Sequence, residues 1–156
     1  MNAEIVRKAL ELVTPAIENL LATIAKRNTV HVIIMDATKK PWEAKFEDAV
    51  LAEKTFGDRN TWERKYDEVA RGKAKQGWRI GDSNFALQEL GPAGIRPGEV
   101  LYVGGFNYQG QLVFCSGVES YFDTLISGWI ALAIQQLSRH ELERIKSLPG
   151  FDGFMK

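Results

Sequence analysis

PGEVLYVGGFNYQGQLVFCSGVESYFDTLISGWIALAIQQL, residues 97–137, is the stretch that decides the fold. β-Branched, aliphatic and aromatic residues at 100–103 and 112–118 predict two strands, and the residues at 107–110 between them predict a tight turn. A glycine-containing turn follows, after which a long helix is predicted over about 123–147. This stretch therefore predicts an antiparallel hairpin whose second strand leads into a helix.

Upstream of this stretch, the hydrophobic pattern predicts a helix, a strand and a second helix. Residues 2–26 carry apolar side chains three and four apart, which is typical of an amphipathic helix, and Pro15 predicts a kink in it rather than two helices in series. Residues 29–36 (TVHVIIMD) are apolar on both faces, as in a central strand covered on both sides. A second helix is predicted, which ends at about Gly77. Asn60 and Glu63 resemble a capping box at its start.

Three shorter segments complete the assignment. Residues 43–56 fit both a strand and a helix, and residues 83–90 predict a short helix. Residues 148–156 (LPGFDGFMK) predict a C-terminal tail whose two phenylalanines indicate docking on a neighbouring surface. The order of elements predicts a single domain over residues 1–156 with an α+β fold, in which helices flank a mainly antiparallel sheet of about five strands.

The composition is that of an ordinary soluble protein. Of the 156 residues, 45% are hydrophobic and 26% are charged, and the formal net charge is zero. A neutral chain has no overall field to attract nucleic acid or an anionic membrane, so neither partner is expected. The one cysteine, Cys115, excludes an internal disulfide and favours a reducing compartment. With no signal-peptide pattern and no apolar run of membrane-spanning length, the expected location is the cytoplasm.

The hairpin and the helix after it also carry a family resemblance. The matching residues are Gly104-Gly105, GQLV at 110–113, SGV at 116–118, Asp123, Ile126 and the helix sequence ISGWIALAI, with weaker matches at Lys73-Ala74 and at a first strand ending in Asp36. Through these residues the chain resembles the GlcG/HbpS-like family of small heme-binding proteins, which share a profilin-like α+β fold. The resemblance implies a homo-oligomer, and it implies heme or another tetrapyrrole as the ligand.

His31 and two arginines are the first candidates for ligand binding. In an alternating strand His31 shares a face with Ile33 and Met35, where a neutral imidazole is able to ligate a heme iron or to bond to a carbonyl in the core. Arg79 and Arg96, near several aromatic side chains, are suited to a planar acidic ligand such as heme with its propionates.

The turn after the second hairpin strand supplies the other candidates: Ser116, Gly117 and Ser120. Hydroxyls and backbone N–H groups near a helix N-terminus suit a carboxylate or a phosphate, although Ser120 or Asp123 is equally able simply to cap the helix. Cys115, just before this turn, is either a small core residue or a nucleophile. No metal-ligating motif is present in the sequence.

Three functions remain open at this point. The first is small-molecule binding of the GlcG/HbpS-like type, with heme or another tetrapyrrole as the ligand that the resemblance implies. The second is a small enzyme that acts on an organic acid at the turn containing Ser116 and Ser120. The third is a structural or regulatory homo-oligomer without a ligand.

Overall fold

The computed structural model describes residues 3–156, and a four-stranded antiparallel sheet lies at its centre. In chain order the elements are helix α1 (Ala3–Thr23), strand β1 (Val30–Met35), the one-turn helix α2 (Phe46–Ala49), strand β2 (Val50–Phe56), helix α3 (Tyr66–Ile80), strands β3 (Gly105–Tyr108) and β4 (Gln111–Ser116), and helix α4 (Ser120–Lys146). The strand order in the sheet is β2-β1-β4-β3. The α+β class is confirmed, whereas the prediction of about five strands is wrong.

The segment 100–103, predicted as the first arm of the hairpin, forms no strand. Side-chain amides occupy the backbone carbonyls that a ladder would use: Gln76 and Gln88 donate to the carbonyl of Val100, and Asn84 donates to that of Tyr102. The arm is β3 instead, and its link to β4 is the two-residue turn Gln109-Gly110. Both turn residues have positive φ, +50° and +88°, which is the geometry that matches the twist of a hairpin.

Helices cover both faces of the sheet. Strand β1 pairs with β2 on one side and with β4 on the other, and all six of its residues are buried. Val32, Ile34 and Cys115 lie on the face covered by α1 and α4. Ile33 and Phe114 lie on the opposite face, under α3. The apolar run of β1 is thus explained by burial on both sides, as a central strand requires.

The helix boundaries differ from the predicted ones in several places. Residue 2, where the first helix was predicted to begin, lies outside the described residues, and α1 continues through Pro15 as a single helix. Helix α3 begins at Tyr66, because the residues near Asn60 form a separate 3-10 turn that the side chain of Asp58 caps. The last helix begins at Ser120.

Two shorter segments also have a defined outcome. Residues 43–56 contain both of the predicted alternatives, since the helical turn α2 leads directly into β2. Residues 148–156 carry neither helix nor strand, and their side chains are exposed. None of the helices within residues 3–156 has the length and apolar character needed to cross a membrane.

Candidate functional site

A cavity of about 210 Å³ lies where β4 ends and α4 begins. Tyr66 and Val69, in the first turns of α3, form one wall, and Tyr102 and Val103 from the irregular segment before β3 form another. The turn after β4 closes the remaining side. The full set of lining residues is Arg27, Arg64, Tyr66, Val69, Lys73, Tyr102, Val103, Ser116, Gly117, Val118, Ser120 and Asp123.

A buried ion pair between Lys73 and Asp123 lies on the inner side of this cavity. Lys73 Nζ donates to Asp123 Oδ2 at 3.0 Å and to the carbonyl oxygen of Cys115 at 2.8 Å. The two side chains are only 2% and 3% exposed. Asp123 Oδ1 also accepts a hydrogen bond from the backbone N–H of Val118. The pair therefore ties α3, β4 and the start of α4 together at the site.

The environment of Asp123 pushes its pKa upward. Burial raises the pKa of this carboxyl group to about 7, although Lys73 and the N–H of Val118 both favour the charged form. Burial thus opposes the charged form of Asp123, and the contact with Lys73 favours it.

Gly104 makes the buried pair sterically possible. A methyl group at this position would lie 2.5 Å from Lys73 Nζ, 2.8 Å from Asp123 Cβ and 2.9 Å from the carbonyl oxygen of Cys115. A methyl group at Gly105 would likewise meet the ring of Phe114 at 2.2 Å. Contacts within the chain thus account for this glycine pair, with no need for a ligand to approach it.

One residue of the cavity wall, Tyr66, has a buried hydroxyl group. Tyr66 is 5% exposed, and within residues 3–156 its OH forms no hydrogen bond. Buried polar groups are nearly always paired, so this hydroxyl keeps the capacity to form a further hydrogen bond. Arg64 lies near it and donates to the OH of Tyr102, and Arg27 lies over the ring of Tyr66.

Three of the predicted binding residues line this cavity. Ser116 and Gly117 are buried, and Ser120 is the exposed first residue of α4. Neither of the proposed capping roles is seen, because the N-cap residue is Glu119 and it makes no side-chain capping bond. Asp123 instead bonds back to Val118, which fixes the turn from inside the helix.

The two predicted arginines lie elsewhere. Arg79 forms a bidentate pair with Glu99, with its Nε 2.7 Å from Oε1, and it also donates to the carbonyl of Gly94. Arg96 is exposed, and its backbone N–H donates to the same carboxylate. Arg79 therefore positions the connector between α3 and β3, and neither arginine faces the cavity with Ser116 and Ser120.

His31 is held by two hydrogen bonds and is not available to ligate a metal in this arrangement. Its Nδ1 lies 2.7 Å from Thr55 Oγ1 and its Nε2 lies 2.7 Å from Glu53 Oε1, and the residue is 3% exposed. The Glu53 carboxylate also pairs with Arg71, which lowers its pKa below the ordinary value, with a smaller contribution from His31.

Neither His31 nor the cavity beside Ser116 and Ser120 fits the heme that the family resemblance implies. His31 has no free ring nitrogen, and the cavity of about 210 Å³ is smaller than the roughly 300–1,000 Å³ usual for drug-sized ligands. Within residues 3–156, no three His, Cys, Asp or Glu side chains gather closely enough to hold a metal ion.

Cys115 is expected to be inert in the folded protein. It is fully buried in β4, and burial raises the pKa of its thiol above the ordinary value, with a smaller contribution from the nearby Asp123. A thiol-reactive disulfide reagent should leave the native protein unlabelled and should label one thiol per chain in guanidinium. Rapid labelling of the native protein would contradict this and would restore the nucleophile hypothesis.

The sequence analysis did not assign Lys73, Asp123 or Tyr66 to this site. Lys73 was noted as a match to a family pattern and Asp123 as a match and a possible helix cap, and nothing local shows that residues fifty positions apart pair in the core. The burial of the Tyr66 hydroxyl likewise depends on contacts that no local pattern shows.

No protein-family model, no curated protein and no solved structure matches this chain. The resemblance to the GlcG/HbpS-like family therefore stays a prediction. The candidate function has to be argued from the geometry of the cavity alone.

Proposed function

We propose that this protein binds a small organic anion, a carboxylate, in the cavity between the start of α3 and the turn after β4. The observation that carries the proposal is Tyr66, a residue of the cavity wall whose buried hydroxyl forms no hydrogen bond within residues 3–156. A carboxylate oxygen accepts hydrogen bonds and is the natural partner of such a donor.

The charges around the cavity support an anionic ligand. Three cationic side chains line it, Arg27, Arg64 and Lys73, against the single carboxylate of Asp123. Lys73 is neutralised by Asp123, whereas Arg64 bonds to the neutral phenol of Tyr102. Arg27 lies over the ring of Tyr66 and has a long contact of 3.4 Å to Glu63, which is largely exposed. A bound carboxylate would therefore meet uncompensated positive charge at the mouth of the cavity.

The hydroxyl groups of the turn support the same ligand. Ser116 and Ser120 line the cavity together with the buried backbone of Gly117, at the point where α4 begins. The N-terminus of a long helix favours negative charge, because its first N–H groups have no partner within the helix. Combined with the unpaired phenol of Tyr66, this arrangement provides donors on two sides of a small anion.

Replacing Tyr66 by phenylalanine is expected to weaken carboxylate binding by about tenfold or more, since a hydrogen bond to a charged group is removed. Isothermal titration of the wild-type protein and the variant with acetate, malonate and succinate would measure this. Inorganic phosphate in the same series separates a carboxylate site from a general anion site.

The matched control is Tyr121→Phe. Tyr121 is exposed in the first turn of α4 and does not line the cavity, so its loss should leave the affinity unchanged. Equal affinity of the wild-type protein and Tyr66→Phe for every carboxylate would contradict the proposal. Absence of saturable carboxylate binding by the wild-type protein would contradict it as well.

A second candidate is a small enzyme that acts on an organic acid in the same cavity. It is favoured by Asp123, a cavity residue whose pKa is raised to about 7, close to the value that suits a general acid or base. Proton NMR of a bound carboxylate over time distinguishes the two functions. Conversion by the wild-type protein, but not by Asp123→Asn, would identify an enzyme.

Heme and self-association are implied only by the resemblance to the GlcG/HbpS-like family. The small-molecule class that the resemblance implies agrees with the present proposal, but the bonds of His31 do not support heme as the ligand. Assembly into a homo-oligomer without a ligand stays a prediction.

A further inference from the structure

A second cavity, of about 220 Å³, lies at the opposite end of α3 from the carboxylate cavity. It is bordered by the end of β1, by the β3–β4 turn and by the last turn of α3. The loop over residues 36–42 closes its outer side. The lining residues are Met35, Asp36, Ala37, Lys39, Lys40, Pro41, Trp42, Trp78, Arg79, Ile80, Gly81, Gly110 and Leu112.

Trp42 is the most unusual feature of this cavity. Its indole is 81% exposed although the residue borders the cavity. Large aromatic side chains gain more from burial than most others, so a planar ligand in this cavity would gain by covering the ring of Trp42. The ring offers a flat apolar face to a planar partner.

The loop that carries Trp42 is fastened to the protein. Trp78, which is 9% exposed, donates its indole N–H to the carbonyl of Lys39 at 2.9 Å. Asp36 accepts from both the N–H and the hydroxyl of Thr38. These bonds hold the loop on α3, so Trp42 is carried by an ordered loop.

Two ammonium groups at the cavity bond to backbone oxygens rather than to carboxylates. Lys39 Nζ donates to the carbonyl of Asp48 at 2.8 Å, and Lys40 Nζ donates to the carbonyl of Ala37 at 3.0 Å. Arg79 is already paired with Glu99, and Asp36 is engaged by Thr38. The two lysines are therefore the cations of this cavity that bond to no carboxylate, although the charged Asp36 lies in the same lining and interacts with Lys39.

Two exposed glycines, Gly81 and Gly110, border the cavity. Gly81 has a φ of +72° and Gly110 a φ of +88°, and a methyl group on either would meet no atom within 4 Å. Gly81 ends α3, and Gly110 lies in the β3–β4 turn. No side chain at these two positions narrows the cavity.

We propose that this second cavity binds a planar aromatic carboxylate, whose ring stacks on Trp42 and whose carboxylate group meets the ammonium groups of Lys39 and Lys40. The ring is matched to the exposed side chain of Trp42, and the carboxylate is matched to the two ammonium groups that bond only to backbone oxygens. This site is independent of the carboxylate cavity beside Tyr66.

The test is a titration of the full-length protein with 2-naphthoate, followed by tryptophan fluorescence and by calorimetry. Saturable binding is expected, and Trp42→Ala should weaken it by about tenfold, because the stacking surface is lost. Lys40→Gln should weaken it several-fold, and neutral 2-naphthamide should bind the wild-type protein more weakly than 2-naphthoate does.

The matched controls are Phe85→Ala and Lys45→Gln, which remove an exposed aromatic ring and an exposed ammonium group outside the cavity. Neither should change the affinity, and neither should Tyr66→Phe, which separates this site from the other one. Failure of 2-naphthoate to bind saturably, equal binding by Trp42→Ala, or equal binding of 2-naphthamide would overturn the proposal.

Discussion

Replacing Lys73 by methionine is expected to lower the free energy of unfolding by about 3 to 5 kcal/mol at about pH 8. Methionine occupies a similar volume, but it leaves the carboxylate of Asp123 buried without its partner. It also removes the hydrogen bond to the carbonyl of Cys115. Equilibrium unfolding in urea, followed by fluorescence, would measure the loss.

The pH dependence of the stability lost in Lys73→Met is expected to identify Asp123 as the source of that loss. Burial raises the pKa of Asp123 to about 7 from its ordinary value of 3.8, while Lys73 opposes the increase. Between those values the folded protein keeps a proton that the unfolded chain has released, so this group lowers stability as the pH rises from about 4 to about 7. Without Lys73 the pKa rises further, and the variant should continue to lose stability above about pH 7.

Two further variants separate the ion pair from a general effect of losing a lysine. Lys65→Met removes a lysine whose side chain is 78% exposed and which contacts Glu68, and it should cost less than about 1 kcal/mol. The double variant Lys73→Met/Asp123→Leu should recover most of the lost stability, because no buried charge remains unpaired. If Lys73→Met were as stable as Lys65→Met, the pair would not hold the site together.

The architecture could be predicted where local signals decide it. The apolar run in β1 follows from burial on both faces, and the helix after β4 follows from its length and periodicity. The strand predicted over 100–103 failed for a tertiary reason. Its β-favouring residues are present, but amides of Gln76, Asn84 and Gln88, from other elements, occupy its carbonyls. The local sequence pattern does not show that side-chain amides compete with a neighbouring strand for these carbonyls.

The candidate site could be predicted only in its local part. Ser116, Gly117 and Ser120 belong to one turn, so sequence adjacency was enough to place them together. His31 and Arg79 were predicted to bind a ligand because of their imidazole and guanidinium groups. In the fold these groups already bond to Glu53 and Glu99, which are distant in sequence. Whether a side chain is still available to bind a ligand depends on such partners, which the local sequence does not show.

Replacing Gly117 by alanine is expected to cost roughly 3 kcal/mol or more of folding free energy. Gly117 has a φ of +145°, which side chains rarely adopt. The new methyl group would also lie 2.5 Å from the carbonyl oxygen of Thr29 and 2.9 Å from Val30 Cα. Both are backbone atoms at the start of β1, which is paired on both sides and is not free to shift.

Gly81→Ala is the matched control, because Gly81 also has a positive φ, +72°, but its methyl group would enter open space. Backbone strain alone should cost about 1 kcal/mol there. A larger loss for Gly117→Ala in thermal or urea unfolding would assign this glycine to the close approach of β4 and β1. Equal losses would contradict that assignment and would leave ligand access as the reason for a glycine at this turn.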